Sequence, residues 1–175
     1  MGLFSKEIKS MQDLFVHVLQ DMYYAENQIL KSLPDMIEQA TNRELTAALK
    51  AHMGETEKQI ARLEQSFELL NLPAKGTKCP AIDGILKEAK EIAGEVDGKK
   101  VLDAAIIAAG QAVEHYEITR YGTLIAWAED LGHDAVAKLL NTTLREEKAA
   151  DKKLSGIAEK KVNRAAEKKT ARKAA

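Results

Sequence analysis

With one cysteine in 175 residues, Cys79, the chain has no intrachain disulfide and no Cys pair for a zinc or redox site. Proline is almost as scarce, with three, and glycine numbers ten. Almost no stretch alternates with period 2, so strands are not expected and an all-α fold is. No apolar run reaches membrane-spanning length without charges. The N-terminal stretch has no charged-then-apolar signal pattern, and Lys6 stands where a myristoylation signal needs Ser or Thr. These features fit a cytoplasmic protein without a membrane partner. A dinucleotide fingerprint, a P-loop, Cys/His zinc spacing and a nucleophile-plus-base motif are all lacking.

What remains is apolar residues at helical spacing and an uneven distribution of charge. The net charge of −1 conceals nine bases and two acids from Lys152 onward, against a body with net charge −8. A chain of this length suits one domain with a real core. Residues 1–9 read as a flexible arm, 10–162 as the folded domain, and 163–175 as a basic Lys/Ala-rich tail that lacks a buriable stripe and is expected to be disordered. Such a tail could bind nucleic acid or another polyanion weakly and without sequence specificity, because it offers charge but no aromatic residue for stacking.

Four long helices are expected. Ser10 with Asp13 reads as a capping box for the first, whose stripe is Phe15, Val18, Met22, Ile29, Leu33 and Met36, with Pro34 as a kink inside it. Thr41 to Glu44 reads as a capping box for the second, which runs to about Leu70 with Leu45, Leu49, His52, Thr56, Gln59, Leu63 and Phe67 inward. Pro73, Gly76 and Pro80 mark a loop as far as Gly84, and a short amphipathic segment follows through Ile92. A third long helix spans Val101–Leu131 with Gly132 as its C-terminal cap, and Asp134 is expected to cap the fourth. The long middle connection allows a crossover between two helical hairpins.

Each helix carries acids within its apolar stripe: Glu26 in the first, Glu55 beside His52 in the second, Glu114 and Glu117 in the third, Glu147 and Asp151 in the fourth. Bare carboxylates on a core face are costly unless they gain a cation, a proton or good donors. Glu26 and Glu55 are 29 residues apart, and Glu117 and Glu147 are 30 apart, so antiparallel hairpins bring the acids to similar depth. Carboxylates from facing helices are the ligand set that holds paired divalent ions. Tyr121 is the tyrosine best placed to donate to an inward acid. His115, His17, His133 and Lys58 read as peripheral, although Lys58, if turned inward, could partner Glu55.

The stretches Tyr24-Ala25-Glu26, His52 with Glu55-Thr56, Glu114-His115-Tyr116-Glu117 with Tyr121-Gly122-Thr123-Leu124, and Glu146-Glu147-Lys148 with Asp151 resemble the bacterial YciE/YciF stress-protein family. The resemblance covers roughly residues 11–162. It implies a ferritin-like four-helix bundle with a short helix in its crossover, related in fold to rubrerythrin and manganese catalase, and a homodimer. Glu26, Glu55, Glu114, Glu117 and Glu147 fall on carboxylate ligand positions of the rubrerythrin-like pattern, which implies two divalent ions, iron or manganese, and action on peroxide or oxygen. Its two ligand histidines are replaced by Lys58 and Asp151, with His52 the best substitute, and no rubredoxin-type iron site can form. A dimeric stress protein that works through surface contacts, metal-free or with structural metal, is the alternative.

Overall fold

The computed structural model describes residues 7–167, and all regular structure there is helical. Helix α1 spans Met11–Gln39, α2 Arg43–Leu69, α3 Pro80–Glu95, α4 Lys99–Asp130 and α5 Asp134–Ile157. A π-helical turn, Ala158–Val162, continues α5, and helix resumes through residue 167. The disorder expected from residue 163 is therefore corrected for 163–167. The remainder of the tail and residues 1–6 of the arm lie outside the described residues.

The caps explain most boundaries. Ser10 caps α1 as the spacing predicts, its Oγ accepting from the Asp13 amide at 3.1 Å. Asp13 Oδ2, however, accepts from the Ser10 hydroxyl at 2.8 Å and the Lys9 amide at 3.2 Å in place of the Ser10 amide of a full box. At α2 the cap is Asn42 rather than Thr41, with Asn42 Oδ1 accepting from the Glu44 and Leu45 amides. Thr41 is instead bound to Asp103. Helix α3 begins at Pro80, several residues before the expected segment, because Pro suits the first helical position, where no N–H is needed. Gly132, at φ +76°, ends α4 in the left-handed region, and Asp134 opens α5 from inside its first turn rather than capping it.

Helices α1, α2, α5 and α4 pack in that cyclic order, each against the next, and α3 lies outside on α1 and α4. The two ends are pinned by hydrogen bonds. Asp103, buried near the start of α4, accepts from the Thr41 amide at 2.7 Å, the Thr41 hydroxyl at 2.8 Å and the Asn42 amide at 3.3 Å. At the other end His133 bonds Gln12 at 2.9 Å and stacks on Phe15. Neighbouring long helices are thus antiparallel. Bonds from Tyr24 to Asp83 and from Lys90 to Asp35 show α3 returning the chain along α1, so that α4 starts beside the α1–α2 turn.

The core has three tiers. Phe15, Leu19, Met22, Leu63, Phe67, Leu124 and Leu140 fill one apolar half, and Ile29, Leu33, Leu45, Leu49, Ile107 and Leu154 fill the other. Between them lies a polar layer. Helix α4 is apolar on nearly all sides, as befits the one helix that contacts α1, α3 and α5 together.

Candidate metal centre

The polar layer consists of Glu26 from α1, His52, Thr56 and Gln59 from α2, Glu114 and Glu117 from α4, and Glu147 from α5, all buried. One ligand atom from each of His52, Glu114, Glu117 and Glu147 lies within 4.8 Å of every other. Glu26 lies beside Glu117 and Glu147 outside this tight group, and its Oε1 accepts from the Tyr121 hydroxyl. His52 Nε2 stands 3.5 Å from Glu114 Oε1, and the Thr56 hydroxyl bonds back to the His52 carbonyl at 3.0 Å.

The layer is short of donors. Glu26 Oε2, Glu114 Oε2, both oxygens of Glu117 and both of Glu147 are buried without a protein partner, as is His52 Nδ1. Burial is the largest cause that lifts the acids: Glu26 rises to about 8, with repulsion from Glu147 second, and Glu114 rises to about 7. Glu117 and Glu147 move well above the usual carboxylate range for the same reason, and their neighbours add to it. Burial also pushes His52 down to about 4. Without a metal, these acids are satisfied by retaining protons that they share among themselves.

A metal ion is the other way to satisfy these atoms, and the donor set fits one. Six unpartnered carboxylate oxygens and a neutral imidazole are hard and borderline ligands suited to iron or manganese. Four carboxylates would balance two divalent charges, leaving no net charge in a layer walled by apolar residues.

Two of the sequence-derived candidates stand apart from the tight group. Glu55 is partly exposed on the flank of α2. Asp151 is also partly exposed and turns toward α4, accepting from Gln111 at 3.0 Å and facing His115 Nε2 at 3.3 Å. Lys58 is exposed and does not turn inward. His17 and His133, read as peripheral, have partners in Asp21 and in Gln12 with Phe15. Sequence reasoning missed Arg62, whose guanidinium grips Glu146 with two 2.7 Å bonds and reaches the Thr143 hydroxyl at 3.1 Å, beside the layer. A signal existed in Arg62, three residues after inward Gln59, and in the doubled acids Glu146-Glu147.

Residues 10–167 match the family described as a domain of unknown function, DUF892. The chain belongs to this family. Protein YciF of Escherichia coli K12 is 45% identical over 152 residues, 86% of this chain and 92% of that protein. Among solved structures, YcfI from Rhodopseudomonas palustris has 61% identity and a TM-score of 0.85 over 87% of this chain and 98% of its own. The crystal structure of the E. coli stress protein YciF gives 45% identity and a TM-score of 0.85, covering 89% and 99%. A Xanthomonas campestris protein at 23% identity and TM-score 0.74, covering 92% and 99%, shares the fold. The DUF892 match includes every residue of the polar layer.

Proposed function

We propose that the chain is a ferritin-like protein that holds two divalent ions, iron or manganese, among Glu26, Glu114, Glu117, Glu147 and His52, and that it acts on peroxide or oxygen in a stress response. The observation that carries this reading is the set of buried carboxylate oxygens that face one another without donors. Bound there, such ions supply one-electron redox steps to an oxidant. The side chains prepare the place. Glu117 and Glu147 each offer two unpartnered oxygens that would serve as ligands, and Tyr121 fixes Glu26 in one orientation by its hydrogen bond. Burial keeps His52 neutral at physiological pH, so a ring nitrogen is free to act as a ligand. The Arg62–Glu146 pair joins α2 to α5 at this level without entering the group.

Elemental analysis tests it. Protein expressed with iron or manganese and purified without chelator is expected to carry about two ions per chain, as in carboxylate-bridged bundle sites. Glu117→Gln with Glu147→Gln should abolish this, and peroxide consumption should be lost in parallel. Wild type that takes up neither metal would leave the acids neutralised by protons alone, and the protein acting through its surface.

A further inference from the structure

A cavity of about 260 Å³ extends from the polar layer toward the α1–α2 turn. Its walls are apolar, with Ile29, Leu33, Leu49, Val113 and Leu154 from all four long helices. Its stretch along α1, residues 29–36, is about 10 Å of helix. Ala48 and Ala150 leave the void open where larger residues would fill it, and the exposed residues Ala149 and Lys153 mark its mouth. An apolar volume of this size weakens a core when nothing fills it.

The end at the layer is polar. His52 and Glu114, more than nine-tenths buried, line it, and each has an atom without a protein partner, Nδ1 and Oε2. Glu55 and Glu146 line the same end, so an anionic head would meet three carboxylates, of which only Glu146 faces a permanent cation, Arg62. The one cationic lining residue, Lys153, is at the mouth. A neutral hydroxyl head can donate or accept at this polar end without bringing a charge to it.

We propose that this cavity binds a small aliphatic molecule with a neutral hydroxyl-type head, an alcohol or alkyl hydroperoxide, head inward at His52 and Glu114 and chain along the apolar wall. The head meets His52 and Glu114, which the proposed metal site also uses, so its binding is measured on the metal-free chain. Only the occupant's role as a substrate, an organic rather than inorganic peroxide, rests on the function proposed above.

The test uses the full chain, stripped of metal, with 1-octanol as the redox-inert probe and octanoate as its charged counterpart. Calorimetry gives affinity, and NMR follows the methyls of Leu49, Val113 and Leu154. Octanol should shift those methyls, and octanoate should bind at least about tenfold more weakly because its charge would be buried unpaired. Ala150→Leu, which adds bulk on a helix that favours leucine, should weaken octanol by about tenfold or more. Its metal content should match wild type. Ala48→Val fills the cavity from α2 and serves if Ala150→Leu does not fold.

No octanol binding by wild type overturns the proposal, as do equal affinity for octanoate or binding unchanged by either filling substitution. A chain that takes up octanol but no metal would sink the metal function and leave the cavity standing. The reverse result would do the opposite.

Discussion

Protons and metal ions are rival ways to neutralise Glu26, Glu114, Glu117 and Glu147, and they respond oppositely to pH. Glu26 and Glu114 rise from an ordinary 4.5 to about 8 and about 7, so folding holds their protons more tightly than the unfolded chain does. For such groups stability is complete below 4.5 and is lost as pH climbs through the folded values. His52 runs the other way, contributing more stability as pH rises from about 4 to its ordinary 6.5. Between 6.5 and 8 only the acids count. Urea unfolding of metal-free protein should therefore show stability falling over that window by about 1.4 kcal/mol per pH unit for each proton retained. Metal-loaded protein should hold or gain stability there, because ligands shed protons on binding. Glu117→Gln should raise metal-free stability at pH 8 by about 1–3 kcal/mol, because Gln is buried neutral without taking up a proton on folding, while lowering metal uptake. A metal-free wild type that is more stable at pH 8 than at 6.5 would refute the proton-sharing account.

The sequence makes most of these residues visible, since Glu26, His52, Glu114, Glu117, Glu147 and Tyr121 interrupt apolar stripes that the fold buries. Glu55 and Asp151 show the limit of phase reading. A helix turns about 100° per residue, so Asp151, four past Glu147, is displaced by about 40°, enough to meet Gln111 and His115 on α4 instead of the layer. Glu55, three past His52, is displaced by about 60° and emerges on the half-exposed flank. The Arg62–Glu146 pair was hidden for another reason. It joins residues 84 apart in the chain, a pairing that no local periodicity encodes.

At the scale of elements, local chemistry sets the starts of helices, and tertiary contacts choose between equivalent caps. Ser10 has no competitor and caps α1, whereas Thr41 and Asn42 both could cap α2. Asp103 decides the matter by taking the Thr41 amide and hydroxyl, which leaves Asn42 to serve the Glu44 and Leu45 amides. Asp103→Ala would orphan three donors at the α1–α2 turn and should cost about 2–3 kcal/mol by chemical denaturation. Ser10→Ala removes one exposed cap and should cost about 1 kcal/mol. A smaller loss for Asp103→Ala than for Ser10→Ala would mean that the turn is held by α4 packing rather than by this carboxylate. Helix α3 was half legible for a similar reason: its stripe shows from Ile85, but buried Ile82 and the Cys79–Tyr116 contact, which anchor its first turn, depend on α4.

For the molecule as a whole, the polar layer is the one level at which α1, α2, α4 and α5 all contribute acids or imidazole to a common group. Its state of charge should therefore act on the bundle globally. A ligand that binds only the folded chain stabilises it by RT ln(1 + [L]/Kd), about 2.7 kcal/mol at a hundredfold excess over Kd. Adding iron(II) or manganese(II) to chelator-treated protein should raise the melting temperature in proportion, and the Glu117→Gln, Glu147→Gln variant should not respond. Hydrogen exchange separates this from adventitious surface binding. Metal at the layer should slow amide exchange around Glu26, His52, Glu114 and Glu147 together, because those segments can open only by breaking the shared site. Protection confined to one helix, or to the acidic exterior, would place the ion elsewhere and leave the layer to its protons.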